Sequence, residues 1–177
     1  MIRLAAVLLA ATLATGAACA QGGDGGWPNR PVHFIVPFPA GGSTDTVARL
    51  VGQLLSQRLG QQFVVENRVG ASGNLGTEAV ARAAPDGYTI GLATTTTLAL
   101  APLFFKNLPF DPLKDFAPVS MLGSSPFVMV VPPTLPVKDL GEFIALARSK
   151  PDAMSYGSAG AGSLAHLAAA LFANMGA

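Results

Sequence analysis

An α/β fold built on a mostly parallel sheet is what this 177-residue sequence predicts. Three observations carry the prediction. Short apolar, β-branched runs are each followed by a glycine-rich loop, and helical stripes of apolar residues follow those loops. The connections between them are only a few residues long, which requires right-handed crossovers between parallel strands.

The first strand is Val32 to Val36, entered through Trp27-Pro28-Asn29-Arg30-Pro31 and apolar enough to be buried on both faces. It ends in Pro37 to Gly42, a loop with two prolines and two glycines. From Val47 a helix carries Leu50, Val51, Leu54, Leu55 and Leu59 and is closed by Gly60. Phe63 to Glu66 is the second strand and Asn67 to Gly76 the second glycine-rich loop. Leu75 to Ala83 is a helix ahead of the Pro85-Asp86-Gly87 turn. A third strand, Tyr88 to Ala93, runs into Thr94 to Thr97. Pro102 to Pro118 then breaks the rhythm. The apolar runs Val119 to Leu122 and Phe127 to Val131, split by Gly123-Ser124-Ser125-Pro126, read as a crossing between two lobes. Leu140 to Arg148 is a helix with Leu140, Phe143, Ile144 and Ala147 on one face, and a short strand near Ser155-Tyr156 leads into Gly157 to Gly162. The last helix begins at Ser163, and its stripe of Leu164, Leu167, Leu171, Phe172 and Met175 is still running where the sequence stops, so a truncated second lobe is expected. No internal repeat occurs at a fixed period.

The first 20 residues have the layout of a secretory leader: Arg3, the apolar run Leu4 to Leu13, and small residues up to Ala18-Cys19-Ala20. Residues 21–26 then read as a flexible start, 27–123 as a first α/β lobe and 124–177 as the beginning of a second. Export follows, and cleavage after Ala20 discards the single cysteine. The alternative is a lipoprotein anchored through Cys19, although Gly16 replaces the usual aliphatic residue of a lipobox. The 11 Lys and Arg nearly balance the 10 Asp and Glu, giving a formal charge of +1 without a basic cluster, which argues against nucleic acid.

Two loops carry the functional signal: Pro39-Ala40-Gly41-Gly42-Ser43-Thr44-Asp45, and Ser158, Ala159, Gly160, Gly162 and Ser163 around Ala161. Each sits between an apolar segment and the first turn of a helix. The first N–H groups of a helix lack internal partners, and the helix dipole adds partial positive charge, so such a place binds anions without a fixed cation. The hydroxyls of Ser43, Thr44, Ser158 and Ser163 add neutral donors. A single loop of this kind also serves as an ordinary turn and cap, but two on opposite sides of a lobe crossing point to capture of a carboxylate.

The sequence resembles the tripartite tricarboxylate transporter substrate-binding proteins, the TctC or Bug family of periplasmic receptors. The resemblance rests on Trp27-Pro28, on Ile35-Val36-Pro37-Phe38-Pro39-Ala40-Gly41-Gly42 with Asp45 and Arg49, and on Glu66-Asn67-Arg68 with Gly70, Gly73, Asn74 and Gly76. It continues through Pro85-Asp86-Gly87-Tyr88-Thr89 and Gly157-Ser158 with Gly160, Gly162 and His166. It implies a two-lobed, type II periplasmic-binding-protein-like fold enclosing one small carboxylate: a di- or tricarboxylate or, in some members, an amino acid, nicotinate or aromatic acid. Delivery to the membrane permease subunits of such a transporter is implied as well, with a monomeric receptor, no enzyme activity and no cofactor. By position it places the two glycine loops at the jaws and puts Ser72, Asn74, Thr94, Thr95 and Thr96 in the cleft. The threonine run also suits a solvated strand end. Asp45 would repel a carboxylate ligand unless a donor lay between them, so it either stabilises the helix start or meets an amine or hydroxyl. His166 is either a cleft contact or a capping histidine.

The rival is a dinucleotide-binding oxidoreductase, because Gly160-Ala161-Gly162-Ser163-Leu164-Ala165 satisfies G-x-G-x-x-[GA] before a helix. A hydrolase lacks support: there is no G-x-S-x-G elbow, and His33 and His166 are the only histidines. No H-x-x-x-H or cysteine pair suggests zinc.

Overall fold

The computed structural model describes residues 26–150 and 153–176; the expected leader, Cys19 included, and residues 21–25 lie outside the described residues. Three strands, β1 (Val32–Val36), β2 (Phe63–Asn67) and β3 (Thr89–Gly91), form a parallel sheet in the order β2-β1-β3. The register sets Val32 beside Phe63 and Val36 beside Asn67, with Phe34 beside Ile90 on the other side. β1 is central because Val32, Phe34, Ile35 and Val36 are all buried, the continuous apolar run of a strand covered on two faces.

Helix α1 (Ser43–Leu59) joins β1 to β2, and α2 (Asn74–Ala81) crosses back over β1 to reach β3. Right-handed crossovers in opposite directions put the two helices on opposite faces. The side chains agree: Phe34 and Val36 cluster with Ala48 and Val51 of α1, whereas Ile35 lines a small gap with Gly76, Thr77 and Val80 of α2.

The face α1 buries differs from the expected stripe. Asp45, Ala48 and Gly52 are its buried residues, while Leu50 and Leu54 are exposed. Small residues allow close approach, since a Cβ on Gly52 would lie 3.4 Å from Cγ2 of Val65. Glycine has the same role in α2, where a Cβ on Gly76 would fall 2.6 Å from the Arg68 carbonyl oxygen and 2.8 Å from Cα of Pro37. At the opposite ends of the strands, Trp27 packs on Phe63 and Tyr88, and the Arg30 guanidinium stacks 3.8 Å from the Tyr88 ring centroid while pairing with Asp86.

Beyond β3 the structure departs from the sequence reading in several places. β3 itself is shorter than Tyr88 to Ala93, although Tyr88 O and Leu92 N still bond to β1. Thr95–Leu100 forms a π-helical turn that runs into α3 (Ala101–Phe104), with Pro102 in the first helical turn, where its missing N–H costs nothing. Val119, Met121, Val128 and Val130 lie in exposed chain without regular secondary structure and with no ladder partner among the described residues, and Ser155-Tyr156 forms no strand. α4 (Leu140–Ser149) is capped by the Asp139 carboxylate accepting Glu142 N–H at 2.9 Å. α5 (Leu164–Gly176) meets it through stacking of Phe143 on Phe172; Leu171 and Met175 of its stripe remain exposed.

Candidate functional site

The strand order β2-β1-β3 reverses direction at β1, and open parallel sheets bind ligands in the crevice outside the C-terminal ends of the strands at such a reversal. The loops after β1, β2 and β3 leave from that edge. Pro39 to Asp45, Ala71 to Asn74 and Thr94 to Thr96 are those loops.

In the first loop, Gly41 has φ +83, a left-handed conformation suited to glycine, and Gly42 caps α1 in extended conformation. The N–H of Gly41 goes to the Asp45 carboxylate at 2.8 Å, and Gly42 O accepts Thr46 N–H at 2.9 Å. By contrast, the N–H groups of Gly42, Ser43 and Thr44 and the hydroxyls of Ser43 and Thr44 have no partner among the described residues. Pro39, Ala40, Gly42 and Ser43 are exposed. This is an open row of neutral donors at the positive end of a 17-residue helix.

Asp45, expected among the ligand-binding residues, is 3 % exposed and turned into the protein. Its carboxylate accepts Arg49 Nε at 2.9 Å, Asn67 Nδ2 at 2.9 Å and the Gly41 N–H. The Arg49 bond, then the Gly41 and Asn67 bonds, hold its pKa well below the usual carboxylate range. A depressed folded-state pKa stabilises the fold fully above the unfolded value of about 3.9, and that stability is lost as pH falls toward the folded value. Urea midpoints measured between pH 6 and pH 2 are therefore expected to fall less steeply in Asp45→Asn than in the wild type; parallel slopes would contradict this.

The second loop contains Ala71 and Ser72 at φ 47 and 56, left-handed values rare outside glycine. Asn74 is 5 % exposed, and its Oδ1 is a buried acceptor with no partner among the described residues. In the third loop Thr94 N–H donates to Thr97 Oγ1 at 3.1 Å, Thr95 is exposed, and the buried Thr96 hydroxyl accepts Leu164 N–H at 3.2 Å.

The Ser158 to Ser163 loop joins these two loops directly, with Ser72 Oγ donating to Ala161 O at 2.6 Å. Three of its own six amides are occupied. Gly160 N–H reaches Ser158 Oγ at 3.4 Å, Ser163 N–H reaches Gly160 O, and Gly162 N–H donates to His166 Nδ1 at 3.3 Å. Ser163 is buried and its hydroxyl accepts His166 N–H, so in this arrangement Ser163 and His166 act as caps of α5. Ser158 and Ala159 remain exposed. The two expected jaws are thus unequal: the first presents three consecutive open amides at a helix start, whereas the second leaves the Ser158, Ala159 and Ala161 amides without a partner among the described residues. No hydrogen bond links them directly among the described residues. Arg49 and Asn67 are site residues that sequence reasoning passed over. The four-residue spacing of Asp45 and Arg49 is a legible signal of an ion pair, but nothing local shows that β2 carries Asn67 to the same place. The gap beneath α2, about 30 Å³ and lined by Pro37, Gly76, Val80, Gly91 and Phe116, is small and mostly apolar. Among the described residues no three His, Cys, Asp or Glu gather for a metal, and no helix is long and apolar enough to cross a membrane.

The family described as the tripartite tricarboxylate transporter family receptor, TctC, matches residues 47–176. BugT of Bordetella pertussis is 40% identical over 173 residues, covering 97% of this chain and 53% of its own length. MatC from Rhodopseudomonas palustris with bound malate superposes with a TM-score of 0.78 at 38% identity, over 85% of this chain and 51% of that one. A second R. palustris protein, with adipate, gives 0.76 at 38% identity, covering 85% of this chain and 50% of that one. The chain spans about half the length of the relatives it matches. With the parallel α/β sheet, the family match over residues 47–176 and relatives near 40% identity, the chain belongs to the TctC family of periplasmic solute-binding receptors.

Proposed function

We propose that this protein is a non-enzymatic receptor that captures a small di- or tricarboxylate, or a related organic acid, in the periplasm for uptake by a tripartite tricarboxylate-type transporter. The observation that carries this reading is the open row of N–H and hydroxyl donors from Gly42 to Thr44 at the N-terminus of α1, beside the crevice of the sheet. Arg49, the cation nearest that row in sequence, is already paired to Asp45, so capture relies on neutral donors and stays reversible. The relatives with malate and adipate support a dicarboxylate. Ser72, Asn74, Thr95, Ser158 and Ala159 contribute around the remainder of the ligand as residues 27–123 and 124–177 act as two lobes, and a membrane permease then receives the loaded form.

The dinucleotide alternative gains nothing here. No strand leads directly into the Gly160 loop among the described residues, and the Gly162 N–H is taken by His166 where a pyrophosphate would need it. A thermal-shift panel of mono-, di- and tricarboxylates, amino acids and nicotinamide dinucleotides tests both readings. A four- to six-carbon dicarboxylate is expected to raise the melting temperature, corresponding to about 2.7 kcal/mol at a hundredfold excess over Kd. Stabilisation by NAD alone, with every carboxylate silent, would overturn the receptor reading.

A further inference from the structure

The geometry points to Asp45, Arg49 and Asn67 as positioning residues that keep the amides of Gly42 to Thr44 open for an anion, an inference that rests on the carboxylate reading above. Asn67 is the last residue of β2, held opposite Val36 by the sheet register, and the ladder is extended by Arg68 N–H to Val36 O at 2.9 Å. From that fixed post its Nδ2 reaches two acceptors, Phe38 O at 3.0 Å and Asp45 Oδ1 at 2.9 Å. Arg49 closes the ring from α1, with Nε on Asp45 Oδ2 and Nη2 on Asn67 Oδ1, both at 2.9 Å. The loop is tied at Phe38 and at Gly41, on the near side of the donors it presents.

What the ring prevents is as informative as what it holds. With Gly42 as the cap of α1, Asp45 is the third helical residue, the place from which an acidic side chain ordinarily folds back onto the cap residue's own N–H. Here Asn67 and Arg49 draw the Asp45 carboxylate inward, and it takes the Gly41 N–H instead, which leaves the Gly42 N–H unspent. Arg49 also cancels a negative charge that would otherwise repel an incoming carboxylate across a few ångströms. Asp45 therefore serves the anion site without touching the ligand.

Arg49 is half-exposed but pairs with the buried Asp45 carboxylate, so its replacement is expected to cost stability, and a thermal melt of each variant establishes that it is folded before binding is read. In Arg49→Met the freed Asp45 turns to the Gly42 amide. Amide hydrogen exchange is expected to slow at Gly42 and quicken at Gly41, and calorimetric affinity for succinate, malate or adipate, whichever binds the wild type best, is expected to fall about tenfold. Arg49→Lys, which restores the charge but not the two-armed bridge, is expected to lie between the two in affinity. Wild-type affinity together with unchanged exchange at both glycines in Arg49→Met would overturn the assignment. If no acid binds even the wild type, the receptor reading fails, while exchange at Gly41 and Gly42 still decides whether the ring sets which amide is free.

Discussion

Gly42→Leu is expected to abolish carboxylate capture and leave the fold standing. The backbone at Gly42 has φ −75 and ψ 169, which any residue adopts, and a Cβ there would meet only Pro39 O at 3.5 Å, an ordinary contact. The cost to stability is that of a poor helix cap, about 1 kcal/mol, or a few degrees in melting temperature. The larger side chain, however, projects into the space in front of the Gly42, Ser43 and Thr44 donors, and an anion cannot approach them. A loss of about a hundredfold in affinity is the expected calorimetric result, which is about 2.7 kcal/mol. Unchanged affinity would take the Pro39 to Asp45 loop out of the binding site.

The opposite pattern is expected at Gly76, where substitution strikes the fold before the site. Its Cβ position lies within 2.6 Å of Arg68 O and 2.8 Å of Pro37 Cα, and these are backbone atoms that cannot swing aside. Even Gly76→Ala forces α2 away from the sheet. Overpacking of this kind costs about 3 kcal/mol, enough to lower the melting temperature by about 10 °C in a chain of this size. Gly123→Ala, where a Cβ meets nothing within 4 Å, is the matching control and should melt with the wild type. A Gly76→Ala protein that melts with that control would show that α2 sits farther from Pro37 than described.

The part of the fold that follows local rules was legible. β1 announces itself because a five-residue run with four buried apolar side chains has few other uses, and Gly60 marks the end of α1 in the left-handed conformation a terminating glycine adopts. Less legible was the face by which α1 packs. Ala48 and Gly52 make the contact through their smallness, which no count of large apolar residues detects, and Leu50 and Leu54 turn outward. The helix at Ala101–Phe104 was hidden by Pro102, which disfavours a helix interior but not a helix start. The site divides in the same way. The donor row after β1 follows from a strand, two glycines and a helix, all adjacent in sequence. The Asp45, Arg49 and Asn67 ring was only half visible, because its third member arrives from 22 residues away by sheet register. That α5 satisfies its own first amides with Ser163, His166 and Thr96 could not be read from a glycine pattern that also fits an open anion site.

Among the described residues, two bonds fasten the Ser158 to Ser163 region to the loops after β2 and β3, Ser72 Oγ to Ala161 O and Leu164 N–H to Thr96 Oγ1. Each contributes a net of about 1 kcal/mol, so together the two bonds favour the fastened form by about 2 kcal/mol, beside the packing of Phe104 and Phe105 near Gly162. A ligand that needs the Ser72 and Thr96 hydroxyls for itself must offset that preference before any affinity is registered, whereas one that leaves both bonds in place inherits an already ordered wall.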